Sequence, residues 1–170
     1  MSEIEISLEK YVQGYNSLWN QVNKNNSEFP KGSVSIGTIG EYYAKKYLEE
    51  KYADSIVEYG RANEKSWDIK VKNGDSQVLF QVKSTSVFNS SRTLSKLNRG
   101  FDQLIVINLD RDFFPFQAYL FETVDHLFAN TKSPALITPN PDNVRQTGSL
   151  AFKQAKNIHN DFFEILANKL

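Results

Sequence analysis

The amino-acid sequence predicts an α/β or α+β sandwich, and two patterns carry this prediction. Amphipathic periodicity typical of helices lies in residues 6–24, 34–52 and 152–170. Alternating or continuously apolar segments typical of strands lie between them, in residues 55–59, 67–71, 78–83, 102–109 and 116–121. Because no repeat or linker-like segment divides the 170 residues, we expect a single domain spanning residues 1–170.

The composition excludes several classes of protein. The 20 basic and 20 acidic residues give a formal net charge of zero, which argues against a protein that coats nucleic acid but allows a local basic face. The absence of cysteine excludes disulfides, thiolate zinc sites and cysteine nucleophiles. Without a signal-peptide pattern or an apolar run long enough to span a bilayer, we expect a cytoplasmic protein with no membrane partner.

Local signals set the expected limits of the helices. The first helix ends before a polar segment that closes with Pro30, and Ser33 is expected to cap the second helix. After the fifth strand we expect a short helix over residues 122–129 and then a proline-containing loop over residues 130–148.

The Asn73-Gly74-Asp75 turn predicts a β-hairpin with two possible registers. If Gly74 and Asp75 form the loop, Asp68 lies opposite Gln81. If Asn73 and Gly74 form it, Asp68 is diagonal to Gln81. Both registers place Asp68, Gln81 and Lys83 on one face of the strand pair. The other face is expected to carry apolar side chains, namely Trp67, Ile69, Val71, Val78, Phe80 and Val82.

A carboxylate, an amide oxygen and an ammonium group on one face suit metal-assisted hydrolysis of a phosphodiester. Magnesium prefers hard oxygen ligands, and a neighbouring lysine can stabilise developing negative charge. The alternative interpretation is that Asp68 and Lys83 are solvent-facing residues of an edge hairpin.

Glu41 belongs to a helical stripe that is otherwise small or apolar, with Gly37, Ala44 and Leu48. A glutamate in such a stripe should have a partner, which could be a lysine, a metal ion or the water on a metal ion. The alternative is a glutamate at the rim of the helix that pairs with Lys45.

These residues resemble the motifs of the PD-(D/E)XK nuclease superfamily, which has the restriction-endonuclease-like fold. The matching segments are Ile36-Gly37-Thr38-Ile39-Gly40-Glu41, Trp67-Asp68-Ile69 and Phe80-Gln81-Val82-Lys83. The resemblance covers about residues 33–121 and implies an α/β fold in which a mixed β-sheet core is flanked by helices. Residues 6–24 and 152–170 would be helical additions to that core.

The resemblance also implies roles for four residues. Asp68 and Gln81 would bind Mg²⁺ or Mn²⁺, Glu41 would be an accessory metal residue, and Lys83 would position the attacking water. Gln81 stands where the family usually has glutamate or aspartate. Branches with glutamine include relatives similar to active nucleases and relatives that have become inactive, so the resemblance leaves both outcomes open.

A basic segment follows the candidate lysine. Residues 76–101 contain four basic residues and no acid. We expect this segment to contact nucleic-acid phosphates through Ser84, Thr85, Arg92, Lys96 and Arg99. The alternative is a flexible polar loop with a short helix near Leu94 and Leu97.

The sequence therefore predicts a magnesium-dependent DNA endonuclease, most simply a type II restriction-like enzyme. Because two duplex strands require two active sites, we expect a homodimer, with residues 6–24 and 152–170 as candidate contacts. The alternatives are an inactive DNA-binding or protein-interaction module of the same fold and a structure-selective nuclease such as a junction resolvase.

Overall fold

A six-stranded mixed β-sheet forms the centre of the computed structural model, which describes residues 2–24, 28–30, 34–61, 64, 66–140, 142–143 and 145–167. The strands follow the order β1-β2-β3-β4-β5-β6. Their bounds are β1 Ile56–Tyr59, β2 Ile69–Asn73, β3 Ser76–Ser86, β4 Gln103–Leu109, β5 Pro115–Phe121 and β6 Lys156–Asn157. β3 and β4 pair in parallel, and the other neighbours pair antiparallel.

Three α-helices accompany the sheet in the described residues: α1 Glu3–Lys24, α2 Ile36–Lys51 and α3 His159–Ala167. α2 and α3 cover one face of the sheet together, and the ring of Tyr47 stacks on Phe162 with centroids 4.9 Å apart. This arrangement confirms the predicted α/β fold class with a mixed sheet flanked by helices. None of the helices in these described ranges has the length and hydrophobicity needed to cross a bilayer.

The two faces of the sheet bury separate hydrophobic clusters. Under α2 and α3, the cluster includes Ile69, Phe80, Ile105, Ile107 and Leu120. On the opposite face, the chain segments that follow β3 and β5 supply most of the cover, through Leu94, Leu97, Phe101, Leu127, Phe128 and Leu136.

The segment after β3 is therefore packed rather than a flexible loop with a short helix. Leu94 is 3% exposed and Leu97 is fully buried. Their backbone amides donate to the carbonyl oxygens of Leu136 and Pro134, at 2.8 and 2.9 Å. β3 also extends beyond its predicted end to Ser86, because it continues to pair with β4 as far as Leu109.

The hairpin between β2 and β3 adopts the first of the two expected registers. Ile69 lies opposite Phe80 and Asn73 opposite Ser76, so Gly74 and Asp75 form the loop, with Gly74 at a φ of 58°. The placement of Trp67 on the apolar face of the hairpin was wrong. β2 begins only at Ile69, and Trp67 packs against the cluster on the opposite face of the sheet.

The start of α2 differs from the prediction. Ser35 is the N-cap, with its hydroxyl accepting from the Thr38 backbone amide while the Thr38 hydroxyl accepts from the Ser35 amide. Val34 is consequently outside the helix, which begins at Ile36. The predicted cap, Ser33, lies outside the described residues.

Two predicted C-terminal helices are shorter than expected. Residues 122–129 contain only a 3₁₀ turn, Asp125–Phe128. The pattern over residues 152–170 is divided into the 3₁₀ helix Leu150–Gln154, β6 and α3. The division occurs because Lys156 and Asn157 pair with Leu120 and Tyr119 of β5, an interaction between distant parts of the chain that helical periodicity does not reveal.

Gly40 allows α2 to approach β3 closely. A Cβ atom at position 40 would lie 2.7 Å from Cβ of Ser84 and would collide with the Ser84 hydroxyl. Ser84 therefore points towards α2, and its buried hydroxyl has no hydrogen-bond partner in the described residues. The close contact places Glu41, the next residue of α2, beside the strand that carries Lys83.

We expect Gly40→Ala to lower the free energy of unfolding by about 1–3 kcal/mol, because the new methyl group overpacks the α2–β3 contact. Gly37→Ala is the matched control on the same helix. Gly37 is exposed and a Cβ there meets only ordinary contact at 3.6 Å, so this variant should gain up to about 1 kcal/mol from helix propensity. Urea denaturation measures both, and equal stability of the two variants would contradict the close approach.

Candidate active site

Asp68 is fixed by β3 at the point where the chain enters β2. Its Oδ2 atom accepts a 2.7 Å hydrogen bond from the backbone amide of Val82 and a second hydrogen bond from Nε2 of Gln81. Its own backbone amide donates to the carbonyl of Phe80 at 2.8 Å. Three hydrogen bonds with β3 therefore hold Asp68, two of them through its carboxylate, and none of the hydrogen bonds found in the described residues uses Oδ1.

Burial raises the pKa of Asp68 above its usual value. The hydrogen bonds from Val82 and Gln81 and the positive charge of Lys83 lower the pKa and partly offset this effect, while the charge of Glu64 adds to the increase. The ionised form of Asp68 is thus supported by neighbours that donate hydrogen bonds or carry positive charge.

Glu41 projects from α2 towards the same place. The pKa of Glu41 is raised to about 8, mainly by burial and also by the charge of Asp68, while the charge of Lys83 opposes the shift. Lys45 is not its partner, because the Lys45 ammonium pairs with Glu49. Within the described part of the chain, Glu41 has neither a hydrogen bond nor an ion pair through its side chain.

Glu41 and Asp68 line one small cleft of about 150 Å³. Its other walls come from α2, from the end of β1 and from the segment that leads to β2. The lining residues are Pro30, Thr38, Tyr59, Gly60, Arg61, Glu64 and Trp67.

Tyr59, Arg61 and Glu64 were not predicted as site residues. Tyr59 reaches the cleft because β1 pairs with β2, which places it opposite Ile69. Its pKa is raised by burial and by the charges of Glu41 and Glu49, and its hydroxyl donates to the carbonyl of Glu28 at 3.2 Å. The β1–β2 pairing is a contact between strands, so the local pattern around Tyr59 gave no signal for its place in the cleft.

Gln81 and Lys83 complete the group on β3. Gln81 is 5% exposed and donates through its amide nitrogen to Asp68, so here it acts as a hydrogen-bond donor to a carboxylate. Lys83 is half-buried on the same face of β3, and its charge acts on both Asp68 and Glu41. The structure thus brings together Glu41, Asp68, Gln81 and Lys83.

The five residues predicted to contact nucleic acid do not form one rim around this cleft. Ser84 faces α2, and Thr85 is 5% exposed and accepts a hydrogen bond from Asn89. Arg92 donates to Thr138 at 3.4 Å. The remaining two lie on the surface: Lys96 is exposed, while Arg99 packs over the ring of Phe128 and lies 3.6 Å from Asp125.

The end of the basic segment nevertheless passes near the site. A Cβ atom on Gly100 would lie 2.6 Å from Cβ of Ser66, so the Gly100 backbone lies against the Ser66 side chain, two residues before Asp68. Ser66 is in turn bonded through its amide and hydroxyl to the Glu64 carboxylate, at 3.1 and 3.0 Å. The basic segment is therefore split between the neighbourhood of Asp68 and a separate pocket that contains Arg92.

No protein-family model matches the chain, and a search of curated proteins finds no match. Among solved structures, the chain is similar to a bacterial homing endonuclease, I-Ssp6803I, with a TM-score of 0.45 and 18% sequence identity. The similarity covers 79% of this chain and 94% of that chain.

The raised pKa of Glu41 predicts a pH-dependent stability in the presence of EDTA. Between about pH 4.5 and pH 8 the folded chain holds a proton that the unfolded chain has lost, so the free energy of unfolding should fall as the pH rises. Glu41→Gln should flatten this slope and stabilise the protein at pH 8 by about 1–3 kcal/mol, allowing for partial exposure of the group.

Chemical denaturation at pH 5, 6, 7 and 8 measures the slope. Glu9→Gln, at an exposed position on α1, serves as the control and should behave as the wild type does. An unchanged slope in Glu41→Gln would show that this carboxyl titrates normally.

Proposed function

We propose that the protein is a DNA endonuclease that hydrolyses phosphodiester bonds with the help of Mg²⁺ or Mn²⁺ and is of the restriction-like type. One observation carries the proposal. Glu41 and Asp68, two half-buried carboxylates with raised pKa values, line one cleft, and the positive charge of Lys83 acts on both of them. Perturbed titratable groups that converge on a cleft are typical of a catalytic site.

The donor set of the cleft fits a divalent cation of the magnesium type. Asp68 and Glu41 supply hard carboxylate oxygens, and no positively charged side chain forms an ion pair with Glu41 in the described residues. The described chain contains no group of three or more His, Cys, Asp or Glu side chains arranged for a metal, so water would complete the ligand shell. Asp68 and Glu41 would hold the ion, and Gln81 would join them if its amide presented oxygen instead of nitrogen.

A bound divalent ion would supply charge neutralisation at the phosphate and a more acidic water molecule. The residues of the chain perform the positioning. The Val82 amide and Gln81 hold one oxygen of Asp68, which fixes the direction of the other. Lys83 can donate to a phosphate oxygen and orient the attacking water for in-line displacement at phosphorus.

The proposal predicts the loss of cleavage in two variants. Asp68→Ala removes the fixed carboxylate and Lys83→Ala removes the ammonium group, so each should reduce the rate by about a hundredfold or more. Lys70→Ala is the matched control, because Lys70 lies on β2 and pairs with Glu58 at 2.8 Å. The measurement is the conversion of supercoiled plasmid DNA in Mg²⁺ or Mn²⁺, with EDTA as the blank.

Other outcomes of the same assay identify the alternatives. DNA binding without cleavage in either ion would support a catalytically inactive binding module of this fold. A strong preference for a four-way junction over linear duplex would support a structure-selective nuclease such as a resolvase. Cleavage that survives both Asp68→Ala and Lys83→Ala would place the active site elsewhere.

We also propose that a second copy of the chain covers α1, giving a homodimer. Its apolar side chains follow a four-three spacing over the whole helix, at Ile4, Leu8, Tyr11, Tyr15, Leu18 and Val22. Such a spacing is the seam of a coiled coil. Within the described residues, only the C-terminal end of α1 packs on the rest of the chain, where Val22 is buried, whereas Leu8 is 57% and Tyr11 68% exposed.

The charges of α1 favour an antiparallel pair. Glu3 and Glu5 lie in its first turn and Lys24 in its last turn, so an antiparallel partner places opposite charges together. The C-terminal α3 is less available as a dimer contact, because Phe162 and Leu166 on its inner face are buried against the sheet and α2.

The double variant Leu8→Asp, Tyr11→Asp should be monomeric, since two carboxylates would enter the apolar seam. Gln13→Asp is the control, because Gln13 lies on the outer side of the helix in this spacing and is exposed. Light scattering should give twice the 19.5 kDa chain mass for the wild type and the control, and the chain mass for the double variant. A monomeric wild type would refute the dimer.

A further inference from the structure

A second cavity of about 440 Å³ lies at the carboxyl ends of β3 and β4 and shares no lining residue with the candidate active-site cleft. Its walls include Thr85 and Ser86 from β3, Asn108 from β4 and Phe116 from β5. The carboxyl ends of neighbouring parallel strands commonly form ligand sites in α/β sheets.

β3 connects this cavity to the active site. Lys83 and Thr85 are two residues apart on one face of the strand, so they are separated by about 7 Å along it. The parallel register places Asn108 beside Thr85, so the side chains of these two residues face the same side of the sheet. A nucleic-acid strand with a phosphate at Lys83 would carry an adjacent nucleotide towards the cavity.

One residue of the cavity lining has a buried acceptor with no partner among the described residues. Asn108 is 2% exposed, and its Nδ2 donates to Oε1 of Gln117 at 2.7 Å. Its Oδ1 is buried and accepts no hydrogen bond from the described residues. A buried amide oxygen is normally paired, so an unpaired acceptor on a residue that lines the cavity supports a ligand with a hydrogen-bond donor.

Arg92, which also lines the cavity, is held in place through its backbone and its side chain. Its φ of 54° lies in the left-handed region, which is unusual for arginine. The backbone is fixed because the Arg92 carbonyl accepts from the Thr138 amide at 3.1 Å, and the guanidinium donates to the Thr138 hydroxyl at 3.4 Å. Both residues line the cavity, so a guanidinium donor is available to a ligand.

The mixture of groups indicates the class of ligand. The Arg92 guanidinium can donate hydrogen bonds. The Asn108 oxygen and the carboxylates of Asp110 and Asp142 can accept them. The half-buried Phe116 ring offers an aromatic surface. Two carboxylates disfavour a phosphate, whereas a heterocyclic base presents both donors and acceptors on a flat ring. We propose that this cavity binds an unstacked nucleobase of the nucleic-acid strand that the enzyme cleaves, an inference that rests on the proposed nuclease function.

Nuclear magnetic resonance of the labelled full chain tests the inference without metal. The four nucleoside 5′-monophosphates are titrated to millimolar concentrations, and ribose 5-phosphate serves as the probe that lacks a base. At least one nucleotide should shift the side-chain resonances of Asn108 and Arg92 in a saturable manner, and ribose 5-phosphate should not.

Two variants distinguish base binding from non-specific effects. Arg92→Asn removes the guanidinium with a residue that tolerates positive φ, and Asn108→Leu removes the unpaired acceptor with a side chain of the same branching. Each should weaken nucleotide binding by about tenfold, as expected for the loss of one hydrogen bond. Lys132→Asn, at an exposed position outside the cavity, should leave the affinity unchanged.

The failure of this inference is separable from the failure of the nuclease proposal. Equal shifts with ribose 5-phosphate, no shifts with any nucleotide, or unchanged affinity in both cavity variants would overturn base binding even if the wild type cleaves DNA. Saturable, variant-sensitive binding by a protein that cleaves no DNA would support the base site and refute the nuclease.

Discussion

The close packing of α2 on β3 is the contact on which the candidate active site depends. Gly40 removes the side chain that would separate the two backbones, and Ser84 occupies the space that this leaves. The next residue, Glu41, is consequently carried into the same electrostatic environment as Asp68 and Lys83. Because the hydroxyl of Ser84 is buried without a partner in the described residues, this packing has a cost in polar desolvation that other contacts must offset.

The zero net charge of the chain conceals an uneven local distribution. Burial disfavours the ionised forms of Glu41 and Asp68. The charge of Asp68 adds to this effect at Glu41, and the charge of Lys83 only partly opposes it. Asp68 is stabilised by hydrogen bonds from β3, whereas the Glu41 side chain has no such support within the described ranges. A divalent cation would resolve this imbalance, since it favours both ionised forms at once.

β3 organises both proposed binding regions through the alternation of its side chains. Gln81, Lys83 and Thr85 face one side, and Phe80 and Val82 face the core beneath α2. The parallel pairing with β4 extends this strand to Ser86 and sets Asn108 beside Thr85. Catalytic chemistry and recognition of the nucleic acid would therefore share one rigid strand, which favours a fixed distance between them.

The sequence by itself determined the features that depend on neighbouring residues: the helical periodicity, the hairpin turn, and the shared face of Asp68, Gln81 and Lys83. Only the tertiary structure decided which residues meet across the fold. Contacts between distant segments bring α2 close to β3 and place Tyr59 in the cleft. They also end the helical pattern before α3. Periodicity reports which face of an element is apolar, whereas the partner of that face is set by chain topology.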